Sequence, residues 1–240
     1  MNTFDSFFIN SYPRSGNTWV RLTMVEVLGA KVLDLNPKFG KRLRLFPSYS
    51  IANFQDDKEK NVIIKSHLKF GNNQRNHLKT IYLVRDGRDS LMSYYFYKKS
   101  HDGYSEDWDS FFSRFVDSEN PSNFSEKVLF DQMGNWSENV QSYMEKKNVL
   151  VMKYEDILND QELGFKSIFD FVGIPLKQYE NPLNSILEKK KEEILKKDNR
   201  DKEVRRRGST RNWEEFFSKE QLDAFNRIHG EVLKKFNYPV

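Results

Sequence analysis

The chain has no cysteine among its 240 residues. This absence excludes disulfide bonds, a catalytic thiolate and metal sites with cysteine ligands. No apolar run approaches the ~20 residues of a membrane-spanning helix. The N-terminus also lacks the basic stretch that precedes the apolar segment of a secretory signal. We therefore expect a cytoplasmic protein without a transmembrane segment.

Neither sign of charge is in large excess. The sequence has 39 Lys and Arg against 35 Asp and Glu, which gives a formal net charge of +4. This mildly basic balance is compatible with an anionic ligand, but it is weak support for nucleic acid, which calls for a concentrated basic patch. The length suits one α/β domain. Because no internal repeat or clear linker is present, we expect one domain over residues 1–240.

The stretch Phe7–Trp19 (FFINSYPRSGNTW) is the most informative part of the chain. A short apolar run breaks at Pro13, passes through a turn of small residues, and enters the amphipathic pattern Trp19–Leu28. This order predicts a strand, a tight turn and a helix. Such a unit directs backbone N–H groups and the positive end of a helix dipole at one point, which suits phosphate or sulfate.

Side chains of the same turn favour an oxyanion. Arg14 supplies a planar cation, Ser15 and Thr18 supply hydroxyl donors, and Gly16 allows close approach of the backbone. The alternative is an ordinary turn in which Ser15 or Asn17 only caps the helix.

Further apolar runs predict strands of a parallel sheet. They are Asn61–Lys65, Lys79–Val84 and Asn148–Lys153. Because connections of helical length separate them, we expect an α/β fold with a central parallel sheet flanked by helices. Ligands in such sheets bind at the carboxyl ends of strands. Arg14, His67 and Arg85 each follow a predicted strand, so we expect them to lie together.

The remaining segments are interpreted more coarsely. Residues 31–57 are expected to be a long connection with a short helix, and Asp89 is expected to be the N-cap of a helix that reaches Lys99. Helices are also predicted within 107–147, over 161–172 and over 219–236. The charged segment 189–202 is typical of a solvated face.

The string YPRSGNTW resembles the YPKSGTTW loop of sulfotransferases that use 3′-phosphoadenosine 5′-phosphosulfate (PAPS). It is not the nucleotide-triphosphate loop, because no Gly-Lys-Ser/Thr follows. The resemblance implies a P-loop-like strand–loop–helix at the N-terminus, PAPS as donor and adenosine 3′,5′-bisphosphate (PAP) as product. It also implies that Arg14 stabilises the transferring group. The loop residues that hold the 5′-phosphosulfate are Ser15, Gly16, Asn17 and Thr18.

Two later segments resemble the same family. VRDGRDSLMS keeps Arg85 and Ser93 at the spacing of the family's arginine and serine, which bind the 3′-phosphate. RRRGSTRNW is similar to the family's RKGxxGDW segment, and this similarity implies that Arg206, Arg207 and Gly208 close over the same phosphate. Two aromatic residues match positions that contact the adenine, Trp19 and Tyr154.

The segment IIKSHLK resembles the family's KTHLP. It implies that His67 is the general base that deprotonates the acceptor and that Lys65 assists at the sulfonyl group. Imidazole is suited to accept a hydroxyl proton at neutral pH. The alternative is a carboxylate base, Asp34 or Glu26, as in the carbohydrate and protein-tyrosine branches, whose loop also carries arginine.

The sequence thus predicts sulfonyl transfer, without a metal, to a hydroxyl or amine of a small-molecule, lipid or carbohydrate acceptor. It does not identify the acceptor or the oligomeric state. The competing hypotheses are an ATP-dependent kinase and a non-catalytic module that binds polyanions. Five aromatic residues are expected either to wall an acceptor pocket or to belong to the core: Tyr94, Tyr95, Phe96, Tyr97 and Tyr104.

Overall fold

A computed structural model describes residues 3–35, 60–71, 77–101, 103–116, 132–197 and 210–240. Its centre is one sheet of five parallel strands in the order β2-β3-β1-β4-β5. The strands are β1 Phe7–Ser11, β2 Lys31–Asp34, β3 Val62–Ser66, β4 Thr80–Val84 and β5 Val149–Lys153. The carboxyl ends of all five strands therefore meet at one edge of the sheet.

Helices cover both faces of this sheet, which confirms the predicted α/β class. They are α1 Asn17–Leu28, α2 Gly87–His101, α3 Trp108–Val116, α4 Trp136–Tyr143, α5 Tyr154–Asn159, α6 Gln161–Val172, α7 Leu176–Lys197 and α8 Lys219–Lys235, with a 3-10 turn at Asn212–Glu215. Helices α1, α6 and α7 pack on one face and α2, α3, α4 and α8 on the other. Burial on both sides explains why the strands are continuous apolar runs.

The strand β2 corrects the expectation of an irregular connection after α1. It has only four residues, KVLD, and Lys31 is exposed while Val32 and Leu33 are buried. So short a pattern does not distinguish a strand from a loop in sequence. The strand forms because its backbone pairs in register with β3, with Asp34 opposite Lys65.

The start of α2 also differs from the prediction. The helix begins at Gly87, and the Asp86 carboxylate accepts a hydrogen bond from the Arg88 backbone N–H at 3.0 Å. Asp86 therefore has the capping role that was expected of Asp89. Asp89 lies inside the first turn with its side chain fully buried, which leaves its carboxylate for other partners.

The charged segment near residue 189 continues helix α7. Leu183, Ile186 and Leu187 form an apolar stripe at helical spacing and pack into the core, whereas Lys189 is exposed. The beginning of the charged segment therefore lies on a helix, which extends to Lys197. Residues 198–209, which include the predicted phosphate-binding Arg206, Arg207 and Gly208, lie outside the described residues. No helix in the described ranges is long and apolar enough to cross a membrane.

His229 is buried between the aromatic rings of Trp136 and Phe225. Its Nδ1 is 2.7 Å from the Ser137 hydroxyl, and burial lowers the pKa of His229 to about 4. In the unfolded chain the imidazole keeps its ordinary pKa of ~6.5. Because the unfolded state therefore binds the proton first, the stability from a neutral His229 is present above pH ~6.5 and is lost as the pH falls toward its folded-state pKa.

We expect the melting temperature to fall over this pH interval and the fall to be shallower in His229→Gln, whose side chain does not titrate. Thermal denaturation at several pH values measures both slopes. The exposed His77 provides the matched control, because His77→Gln removes an imidazole without removing a buried one. Equal slopes for His229→Gln and the unmodified protein would contradict the assignment.

Candidate active site

The turn between β1 and α1 leaves the start of the helix without a side-chain cap. Gly16 is the N-cap residue, with φ of 91°, and no side chain caps the helix. The Ser15 hydroxyl lies 3.2 Å from the Ser90 hydroxyl, and the Asn17 amide donates to the Ile9 carbonyl at 3.0 Å. The alternative of a capping turn is therefore wrong. The first N–H groups of α1 have no partner within the helix and are available to an anion.

Two aromatic side chains enclose this turn. A Cβ atom at Gly16 would lie 2.5 Å from Cδ2 of Tyr154, so no larger residue fits there. The rings of Trp19 and Tyr154 meet edge to face, with centroids 5.8 Å apart. Both residues predicted to contact adenine thus lie against the loop. Thr18, the remaining loop residue, is exposed.

Arg14, Ser93 and Arg85 converge beside the same turn. Nε of Arg14 donates to the Ser93 hydroxyl at 3.2 Å, and Nη1 of Arg85 donates to the Arg14 carbonyl at 3.2 Å. The Arg14 guanidinium lies 4.9 Å from the centre of the Tyr97 ring, and that of Arg85 lies 4.8 Å from the centre of the Tyr154 ring. Strands β1 and β4 are neighbours, so residues that follow them meet. Two separate sequence motifs therefore form one cationic cluster.

Asp89 links this cluster to the C-terminal part of the chain. Its carboxylate accepts hydrogen bonds from the backbone N–H groups of Arg211 at 2.8 Å and Trp213 at 3.3 Å, and it lies 3.8 Å from Nη2 of Arg85. The Arg88 guanidinium packs over the Trp213 ring at 3.8 Å. Sequence reasoning missed this role. The chain that follows residue 209 is therefore fixed to α2 next to Arg85.

His67 follows β3 and is held by the end of β1. Its Nδ1 lies 2.8 Å from the Ser11 carbonyl oxygen. Because a carbonyl only accepts hydrogen bonds, Nδ1 carries the proton and the lone pair is at Nε2. Burial and the nearby Lys65 cation lower the pKa of His67 to about 3. The imidazole is therefore neutral at physiological pH, which is the form that can accept a proton.

Lys65 forms an ion pair with Asp34, with 2.9 Å between Nζ and Oδ2. Burial lowers the pKa of Lys65, and the Asp34 carboxylate opposes that change. Of the two carboxylates considered as alternative bases, Asp34 lies beside Lys65. Its negative charge opposes the lowering of the His67 pKa by burial. Glu26 is exposed. The structure thus places one of the two at the site.

Arg21 is a further buried cation that the sequence did not single out. It lies on α1 and is 1% exposed, and it is close enough to Asp34 for that carboxylate to oppose the lowering of its pKa by burial. In an amphipathic helix pattern an arginine normally indicates the solvent face. The pattern therefore gave no signal for its burial.

The aromatic residues of α2 divide into two groups. Tyr94 and Tyr95 are buried in the core, which favours the core alternative for these two residues. Phe96, Tyr97 and Tyr104 are partly buried. Within the described ranges, no cluster of three or more His, Asp or Glu side chains could hold a metal ion.

A family profile and a curated relative both match nearly the whole chain. Residues 4–237 match the family profile described as Sulfotransferase domain. Sulfotransferase 2A2 of Rattus norvegicus is 25% identical over 263 residues, which cover 97% of this chain and 85% of the rat protein.

Two solved structures share the fold. Mouse sulfotransferase SULT7A1 complexed with PAP superposes with a TM-score of 0.66 at 22% identity, over 95% of this chain and 84% of the mouse chain. Retinol dehydratase in a complex with retinol and PAP gives a TM-score of 0.62 at 17% identity, over 95% and 81% of the two chains.

Proposed function

Since the chain belongs to the sulfotransferase family, whose profile covers residues 4–237, we propose that it moves a sulfonyl group from PAPS to a hydroxyl or amine of an acceptor. The observation that carries this proposal is the convergence of Arg14, Ser93 and Arg85 beside the uncapped start of α1. In this proposal two separate segments, 14–18 and 85–93, hold the two anionic ends of one adenine nucleotide.

The residues present fit such a donor. The N–H groups at the start of α1 (residues 16–18) and the Arg14 guanidinium suit the 5′-phosphosulfate. Arg85 and Ser93 suit the 3′-phosphate. Arg206, Arg207 and Gly208 are proposed to complete that subsite, and the anchoring of the following residues by Asp89 supports this. Solved relatives of this fold contain PAP.

His67 is proposed to take the proton from the acceptor hydroxyl at Nε2, while its Nδ1–H stays bonded to the Ser11 carbonyl. Arg14 and Lys65 stabilise the negative charge that develops on the bridging and sulfonyl oxygens. Asp34 holds Lys65 in position through their ion pair. In this proposal the protein's own cations carry the charge and no metal takes part.

The proposed acceptor class draws on a relative with the same fold. Retinol dehydratase forms a complex with retinol, an alcohol, and PAP, which supports a small-molecule, lipid or carbohydrate alcohol as acceptor. The cytoplasmic location, the single domain over residues 1–240 and the absence of nucleic-acid binding stay predictions.

A thermal-shift comparison tests the proposed function. We expect PAP to raise the melting temperature, by an amount that corresponds to ~2.7 kcal/mol at a hundredfold excess over its dissociation constant, and ATP with Mg²⁺ to raise it much less. In Arg85→Met the shift of the melting temperature by PAP should shrink. The exposed Lys166 gives a control, because Lys166→Met should retain the shift.

A larger shift with ATP and Mg²⁺ than with PAP would favour the kinase. Heparin binding with steep salt dependence and no competition from PAP would favour the polyanion-binding module.

A further inference from the structure

Arg21 is a buried cation with two nitrogen atoms that have no hydrogen-bond partner among the described residues. Its side chain is 1% exposed, and neither Nε nor Nη2 makes a hydrogen bond within the part of the chain that the structure describes. A guanidinium does not lose its proton in proteins. Asp34 only partly offsets the effect of burial on the pKa of Arg21. Because an incompletely compensated buried charge is costly, the position of Arg21 on α1 favours a bound anion.

The neighbours of Arg21 do not supply that anion in full. Asp34, at the end of β2, already forms an ion pair of 2.9 Å with Lys65 on β3. His67 is neutral. The group formed by Arg21, Lys65 and Asp34 thus contains two cations and one carboxylate among the described residues. Among these three side chains, positive charge exceeds negative charge by one.

The sheet order places Asp34 farther from the nucleotide than Lys65. The proposed phosphate-binding residues follow β1, β4 and β5, Lys65 of β3 is proposed to act on the sulfonyl group, and Asp34 lies on β2, beyond β3. His67, at the end of β3, lies between Asp34 and the proposed phosphate-binding residues because it is bonded to Ser11 of β1. An anion near Arg21 is therefore on the far side of the proposed base from the nucleotide, where the acceptor must lie.

We propose that Arg21 binds an oxyanion of the acceptor, so that the enzyme prefers hydroxyl compounds carrying a carboxylate, sulfate or phosphate group over neutral ones. This inference rests on the proposed function and adds the charge class of the acceptor. The guanidinium suits such a group because its N–H donors match two oxyanion oxygens at once.

The test uses two pairs of acceptors that differ in charge but little in shape. They are 4-hydroxybenzoate with 4-hydroxybenzamide, and methyl glucuronoside with methyl glucoside. We expect the unmodified enzyme to prefer the acid by at least about tenfold in kcat/KM. In Arg21→Met the KM of the acid should rise at least about tenfold more than that of its neutral partner. Arg21→Lys should keep part of the preference, and Lys166→Met should keep all of it.

A binding readout accompanies the kinetics. With PAP present, 4-hydroxybenzoate should raise the melting temperature more than 4-hydroxybenzamide does, and Arg21→Met should abolish the difference. The melting temperature of Arg21→Met without acceptor should be equal to or above that of the unmodified protein, because an apolar residue replaces a buried charge.

Three results would overturn the inference. An equal loss of kcat with acidic and neutral acceptors would assign Arg21 to the transferring group. A lower melting temperature with unchanged selectivity would assign it a structural role. Equal kcat/KM for the acid and its neutral partner in the unmodified enzyme, or binding of neither compound, would exclude an acidic acceptor. A missing shift with PAP alone would instead refute the proposed function.

Discussion

Replacing His67 by alanine is expected to lower kcat by about 10²–10⁴-fold, the usual contribution of a general base, and to leave the affinity for PAP nearly unchanged. The reason is that the imidazole holds its Nδ1 proton against the Ser11 carbonyl and presents the lone pair of Nε2. It lies after β3, away from Arg85 and Ser93. Its loss should therefore remove proton acceptance without disturbing the donor subsite.

Single-turnover kinetics with labelled PAPS measures the chemical step, and calorimetry with PAP measures donor affinity. His67→Gln separates proton acceptance from packing, because an amide fills much of the space but is not a base. We expect it to be about as slow as the alanine variant. His77→Ala, at an exposed position, is the matched control and should retain full activity.

The carboxylate alternative makes the opposite prediction for the same variants. If Asp34 were the base, His67→Gln would remain active and Asp34→Asn would not. Asn at position 34 still offers an oxygen to Lys65 but cannot accept the acceptor's proton at neutral pH. A His67→Gln enzyme with near-normal kcat would therefore transfer the role to Asp34. Weak PAP binding by His67→Ala would contradict the separation of the two subsites.

The sequence predicted the grouping at the site because that grouping follows from topology alone. Residues that follow parallel strands meet at one edge of the sheet, so the strand pattern alone predicts that Arg14 and Arg85 lie together. The bond from Arg85 to the Arg14 carbonyl and that from Arg14 to Ser93 confirm this proximity. The catalytic roles of Arg14 and Arg85 are proposals, and the variants of these residues are designed to test them.

Other features depend on contacts that a linear pattern does not contain. β2 is four residues long and exists through its pairing with β3. Asp89 looks like a cap in sequence, but it binds backbone groups 122 and 124 residues away. Arginine in an amphipathic helix usually faces solvent, yet Arg21 of α1 is buried in the structure. Tertiary contacts, not local propensity, determine each of these.

Arg14→Ala is expected to abolish measurable turnover, a loss of at least about 10²–10³-fold for a group that stabilises developing charge. Arg14→Lys should keep a measurable part. Lysine stands at this position in the family loop that YPRSGNTW resembles, and it can place a cation near the same oxygens. It cannot reproduce the planar fork of arginine, which here donates to Ser93 and lies against the Tyr97 ring.

The backbone at Arg14 makes this comparison clean. Its φ of 68° lies in the left-handed region, where alanine and lysine both carry a Cβ and meet a similar steric cost. The side chain is exposed, so neither variant removes core packing, and their melting temperatures should agree closely. A difference in kcat between them then reports the cation alone. Steady-state kinetics with each variant, beside Arg227→Ala at an exposed position of α8, measures it. A fully active alanine variant would rule out the role of Arg14. Charge at the bridging oxygen would then be stabilised without the exposed cation of the proposed phosphate-binding turn.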